Sequence, residues 1–166
     1  MGQSVRMDWL ILLRWLHVVG ACVLLGTGVG IAFFMVMAHR TGSASLIAHT
    51  ARIVVVADWV FTASAVVIQP VTGALLVEAL GWSWGEGWIV ISLALYVLTG
   101  AFWLPVVWIQ HRMRDLAAIA ATENASLPGA YHRLYRAWFL CGFPAFAAVL
   151  AIIWLMLARP QFTLFG

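Results

Sequence analysis

Four long runs without a charged residue divide the sequence, at 15–38, 59–77, 88–110 and 137–158. Each run is close to or above the roughly 20 apolar residues with which a helix crosses the hydrocarbon core of a bilayer. None of them alternates apolar and polar residues with the two-residue period of a membrane barrel strand. The pattern therefore predicts four membrane-spanning helices.

Extending the first two runs towards their N-terminal ends takes in Arg14 and Asp58. The resulting spans lie at about 9–38, 53–78, 88–111 and 136–158. We predict an all-α fold, an integral membrane four-helix bundle, in which residues 1–166 form a single membrane domain. The polar connection 113–132 predicts a short separate helix at about 112–121, followed by a turn at 127–129.

Composition excludes a soluble protein. The chain is 64% hydrophobic and 9% charged, whereas a globular domain is about 25% charged, and its mean hydropathy is +1.00. The net charge of +3 is spread over several connections, so it does not form the basic patch of a nucleic-acid-binding protein. The lipid bilayer is the predicted partner.

The positions of the arginines predict the orientation. The first and third connections, with the helix ends beside them, hold six arginines: Arg40, Arg52, Arg112, Arg114, Arg133 and Arg136. The opposite side holds three: Arg6, Arg14 and Arg159. Cytoplasmic loops of membrane proteins carry an excess of positive residues. We therefore predict a multi-pass protein of the bacterial inner membrane with both termini outside the cytoplasm.

His17 and Arg14 lie three residues apart in the first span, on one face of a helix. Ionisable groups in a span usually face a protein interior, a cavity or a bound group. Two interpretations of His17 stay open: a hydrogen bond to another helix, or axial ligation of haem iron. Arg14 either pairs with a carboxylate such as a haem propionate or extends to the membrane surface. Tyr96 lies near the depth of His17 by helix counting, which makes it a third candidate for cofactor binding.

The four other histidines fall at helix ends on the predicted cytoplasmic side: His39, His49, His111 and His132. Solvated histidines at the membrane surface and a metal site are both open, since imidazole binds iron, copper and zinc. Asp58, about two turns beyond His49, is a further candidate ligand, and Arg52 is its alternative partner as an ion pair. These five residues form the candidate site for a transition metal ion.

Small residues and prolines predict where the helices contact one another. Gly26 and Gly30 have the spacing that lets two membrane helices approach closely, or that leaves a groove for a flat ligand against bare backbone. Pro70, Pro105 and Pro144 each lie within a span, where proline leaves a carbonyl in need of another partner.

Six short motifs are distributed between residues 38 and 110: AHRTG, IAHTAR, ADWxFT, QPxTG, EGWIV and FWLPVVWIQ, at 38–42, 47–52, 57–62, 69–73, 86–90 and 102–110. Their pattern resembles a family of bacterial predicted integral membrane proteins of unknown function. That resemblance implies a membrane fold and no particular activity.

The segment HRLYRAWF at 132–139, followed by Pro144, resembles the last span of the small membrane protoporphyrinogen oxidases of the HemJ type. Leu16-His17 and Ala38-His39 match the first span of those proteins in position. The resemblance implies a compact four-helix bundle associated with haem b.

One position departs from the HemJ pattern. HemJ-type proteins carry an essential lysine before a Leu-Ala-Leu-like stretch, whereas Ser92 precedes that stretch here and the chain has no lysine. Whether the protein is an enzyme, as an oxidoreductase, therefore stays open.

Three functions follow as hypotheses. The first is a haem-binding inner-membrane protein with a redox or porphyrin-handling role. The second is a metal-handling or transport protein that uses Asp58 and the histidines of the cytoplasmic side. The third is an accessory subunit of a membrane complex, or a homo-oligomer, without chemistry of its own.

Overall fold

The computed structural model describes the backbone of residues 2–161 and the side chains of residues 7–161. Four long helices follow one another: α1 (Gly2–Arg40), α2 (Ala44–Leu80), α3 (Gly87–Thr122) and α4 (Gly129–Ala158). Each of the four is long and apolar enough to cross a membrane. The predicted all-α membrane bundle is confirmed.

All four helices extend beyond the predicted spans, α2 and α3 the furthest. α2 begins at Ala44 because Ser43 caps it, its side chain accepting a hydrogen bond from the backbone N–H of Leu46. α3 continues without a break through 112–121 to Thr122. The prediction of a separate short helix there is wrong, since no glycine or proline interrupts residues 106–122.

α2 contains a local irregularity. Two α-helical stretches, Ala44–Ala57 and Ala63–Leu80, flank a π-helical segment at Asp58–Thr62, in which the N–H of Ala63 bonds to the carbonyl of Asp58 five residues earlier. Such π segments are rare and often lie at functional sites. Both ends of this one, Asp58 and Thr62, are buried.

The helices pack as two antiparallel pairs, α1 with α2 and α3 with α4. The first half of α2 joins the pairs by packing on α3. The larger apolar cluster lies at the end of the bundle where α1 passes into α2, which we call the α1–α2 end, and is centred on Met35, Ile47, Met113 and Tyr131. A smaller cluster of Val77, Trp88, Ile89 and Leu155 lies at the opposite, α2–α3 end.

Large apolar side chains cover the outer surface, among them Leu157 and Val97, which are 81% and 70% exposed. A surface of this kind is stable against lipid tails and not against water. The helices therefore contact the bilayer directly, as the composition predicts.

The glycines of α1 do not contact other helices where the sequence suggested. A Cβ added at Gly26, Gly28 or Gly30 would meet nothing within 4 Å. The prediction of close helix packing at Gly26 and Gly30 is therefore wrong within this chain. The close approach lies at Gly20, whose missing side chain leaves room for Gln69 of α2.

Candidate functional site

His17 is half-buried and faces α2. Its Nδ1 lies 2.8 Å from Oγ1 of Thr72, and the same hydroxyl lies 2.8 Å from the carbonyl of Ile68. A hydroxyl has a single hydrogen to donate. Because Thr72 donates that hydrogen to a backbone carbonyl, its oxygen accepts from Nδ1–H of His17. In the tautomer that fits this network, Nδ1 carries the proton and Nε2 the lone pair.

Three residues of α2 form what we call the His17 seat: Gln69, Thr72 and Gly73. The amide of Gln69 donates to the carbonyl of His17 at 2.7 Å. A Cβ added at Gly73 would lie 3.3 Å from Cε1 of His17, so the glycine leaves room for the imidazole ring. The seat coincides with the QPxTG motif at 69–73.

Sequence reasoning missed Thr72 as the partner of the His17 ring. The sequence signal that could have identified Thr72 is the hydroxyl residue directly before a glycine in the QPxTG motif. Of the two interpretations of His17, a hydrogen bond to another helix is present. That bond engages Nδ1 and leaves axial ligation through Nε2 open.

Arg14 is exposed and lies one turn of α1 nearer the α2–α3 end than His17. The one ion pair among the described side chains joins Arg114 to Asp115, so Arg14 has no carboxylate partner in that part of the chain. Its pairing with a carboxylate of a bound group stays a prediction.

Tyr96 has a defined contact with α2. Its hydroxyl donates to the carbonyl of Val66, four residues before Pro70. Proline has no N–H, so that carbonyl loses its partner within the helix. Tyr96 supplies the partner that the sequence required for Pro70. A role of Tyr96 beside a cofactor stays a prediction.

The five candidate metal ligands do not form one site. Among the described residues, no group of three histidine, cysteine or acidic side chains could hold a metal ion. His39 stacks on Tyr135, with 3.6 Å between ring centroids, and its centroid lies 5.8 Å from that of His132. Asp58 and His111 line a different cavity.

The helical geometry explains why His49 and Arg52 do not join Asp58. At about 100° per residue, spacings of nine and six residues turn a side chain to another face of the helix. His49 and Arg52 are exposed, whereas Asp58 is buried. The alternative Asp58–Arg52 ion pair is accordingly not formed, and the structure does not bring the five candidate ligands, all among the described residues, together in one cluster.

Asp58 lies in a largely apolar pocket between α2 and α3, whose lining includes Val55, Trp59 and Val107. Its Oδ1 accepts a long hydrogen bond of 3.4 Å from Nε1 of Trp103. Thr62 and Gln110 also face the carboxylate. Nδ1 of His111, whose ring lines the same cavity, donates to the carbonyl of Val107 at 2.8 Å. A buried carboxylate with so weak a set of donors is costly within a membrane.

A family model described as predicted integral membrane protein (DUF2269) matches residues 11–160. The chain belongs to this family. The region shared with DUF2269 includes the His17 seat and the π segment of α2, and membership agrees with a multi-pass membrane protein. No curated protein and no solved structure matches the chain. The resemblance to HemJ-type oxidases therefore rests on its motifs and stays a hypothesis.

Proposed function

We propose that this membrane protein binds haem b through Nε2 of His17 and has a redox or porphyrin-handling role. The observation that carries the proposal is the distance of 2.8 Å between Nδ1 of His17 and Oγ1 of Thr72. Histidines that bind metals commonly donate their other ring N–H to a protein group, which sets the tautomer and holds the ring in place. Thr72 has that relation to His17.

The surroundings of His17 are compatible with such a group. The ring is half-buried, and Gly73 keeps its α2 side free of a bulky side chain. Arg14 is on the same face one turn away and offers a guanidinium to a propionate. Haem b bound here would supply one-electron redox chemistry, and the residues named would bind and orient it.

A visible spectrum of the purified protein tests the proposal. A Soret band is expected after expression with a haem supply, and His17→Ala should abolish it. Thr72→Val keeps the shape of the side chain and removes the hydroxyl, so haem retention should fall about tenfold or more. Arg14→Ala should weaken retention without abolishing the band.

His39→Ala and His132→Ala are the matched controls, because both remove an imidazole from the α1–α2 end. Their spectra should match that of the parent protein, with helicity measured by circular dichroism for every variant. Loss of the band in these controls and not in His17→Ala would mean that a different histidine is the ligand. A folded parent protein without a Soret band would refute haem binding.

A further inference from the structure

Asp58 carries the one buried carboxyl among the six acidic side chains of the protein, all of which belong to the described residues. It is 5% exposed, whereas the other five are exposed or half-buried. Its Oδ2 is buried and has no hydrogen-bond partner in the described part of the chain. Its Oδ1 accepts one long hydrogen bond of 3.4 Å from Nε1 of Trp103. Since buried polar groups are nearly always paired, this carboxyl lacks a partner.

The surroundings of the carboxyl exclude bulk water. The cavity at Asp58 has a volume of about 10 Å³, which is roughly the minimum space for one water molecule. Trp59, Trp103 and Val107 line it and also line a groove of about 640 Å³ on the outer surface of α2 and α3, where lipid tails are the solvent. The hydration shell that stabilises a carboxylate in water therefore has no room here.

The chain does not compensate a negative charge at this place. Among the described residues no arginine lines the cavity, and the one ion pair joins Arg114 to Asp115. α1 and α4 contribute no described residue to the lining. His111 of α3 is the other titratable side chain in the cavity, and it forms no ion pair with Asp58. A carboxylate here would be a buried charge without a counter-charge, which is costly within a membrane.

The neutral acid avoids this cost. A carboxyl in water at neutral pH is ionised by an excess of about a thousandfold. Complete burial changes that ratio by a factor of about 10³–10⁵ in favour of the neutral form. A proton on Oδ2 also turns an acceptor without a partner into a donor. Oε1 of Gln110, which lines the same cavity, is a buried acceptor that is itself unpaired.

We propose that Asp58 is a proton-binding site within the membrane, which holds a proton at neutral pH and exchanges it with the α1–α2 end of the bundle through His111. The site is separate from the His17 seat and does not depend on haem. It lies at the start of the π segment of α2, the kind of irregularity that often marks a functional site.

His111 is placed to relay the proton. It is half-buried, lines the cavity and lies about two turns of α3 nearer the α1–α2 end than Trp103. Its Nδ1 donates to the carbonyl of Val107 at 2.8 Å, so Nε2 is the atom free to accept a proton. In the transfer the O–H bond of Asp58 breaks and an N–H bond forms at Nε2, directly or through one water molecule. The imidazolium then releases its proton to the α1–α2 side, since imidazole exchanges protons near neutral pH.

Infrared spectroscopy of the purified full-length protein in lipid vesicles tests proton binding. The C=O stretch of a protonated carboxyl is separate from the carboxylate and amide bands. At neutral pH the parent protein should show this band at about one carboxyl per chain. Labelling with ¹³C-aspartate should shift the band, and Asp58→Asn should remove it. Trp103→Phe should change its frequency, because the hydrogen-bond donor to Oδ1 is lost.

Asp115→Asn is the matched control, because it removes an aspartate of α3 that does not line the cavity. It should keep the band of the parent protein. Circular dichroism and size-exclusion chromatography first establish that each variant is folded. If Asp58→Asn does not fold, the ¹³C-aspartate shift and the frequency change in Trp103→Phe decide the question.

Transfer of the vesicles into D₂O tests the relay. The band moves to lower frequency as a deuteron replaces the proton, and His111→Phe should slow this exchange by about tenfold or more. His49→Phe is the control, because His49 is an exposed histidine of the same end that does not line the cavity. It should exchange as the parent protein does.

Two results overturn the inference. A folded parent protein without the band at neutral pH, or a band that Asp58→Asn leaves in place, would mean that Asp58 holds no proton. Equal exchange rates in His111→Phe and His49→Phe would remove His111 from the path of the proton. Neither result bears on the Soret band, so the test is independent of haem binding at His17.

Discussion

The contact between Gly20 of α1 and Gln69 of α2 allows a sharp test of how the two helices are aligned. A methyl group added at Gly20 would overlap with the side-chain amide of Gln69. That amide donates to the carbonyl of His17 at 2.7 Å, so it cannot keep its hydrogen bond and make room for the methyl. Gly20→Ala should therefore disturb the His17 seat directly.

The size of the effect follows from two terms. Overpacking a tight contact costs about 1–3 kcal/mol, and a lost interhelical hydrogen bond in a membrane protein costs about 0.6 kcal/mol on average. Alanine also favours a helix over glycine by about 1 kcal/mol. Gly26→Ala is the control that shares this gain without a clash, because a Cβ there meets nothing within 4 Å. We expect Gly20→Ala to be less stable than Gly26→Ala by about 2 kcal/mol.

Unfolding by sodium dodecyl sulfate in mixed micelles, followed by circular dichroism, measures this difference. In a Gln69→Ala background the methyl meets no amide, so the penalty of Gly20→Ala should largely disappear and give a coupling of about 1 kcal/mol or more. Equal stability of Gly20→Ala and Gly26→Ala, or an unchanged penalty in the Gln69→Ala background, would refute this alignment of α1 and α2.

Two further predictions concern Pro70 and the orientation. Tyr96→Phe should lower the free energy of unfolding by about 1 kcal/mol in the same assay, because it leaves the carbonyl of Val66 unpaired. In a Pro70→Ala background the new N–H of residue 70 can pair with that carbonyl, so the loss should be smaller. A loss of the same size in that background would contradict the pairing of Tyr96 with Val66. Cysteines at Gly2 and at Gly166, which is outside the described residues, should react with an impermeant thiol reagent from outside spheroplasts when Cys22 and Cys141 are replaced by serine. Labelling only after lysis would reverse the predicted orientation.

Hydropathy and charge were sufficient to predict that the protein lies in a lipid bilayer and that it has four membrane-spanning helices. Runs of about 20 apolar residues have few stable structures in a bilayer other than helices, because backbone groups in lipid must be satisfied within the segment. Helix ends were less predictable. Charged residues such as Arg52 and Arg112 end the apolar runs of the sequence. The helices do not end there, because α2 begins before Arg52 and α3 continues past Arg112.

The sites depended on relations between helices, which one-dimensional spacing does not contain. The sequence drew attention to His17 and Asp58 because ionisable residues in a span are costly. It did not pair His17 with Thr72, 55 residues away, and it grouped Asp58 with His49 because they are near in sequence although they lie on different faces of α2. Packing of α1 and α3 against α2 determines which side chains meet, since the depth and rotation of each helix are set by contacts across the bundle.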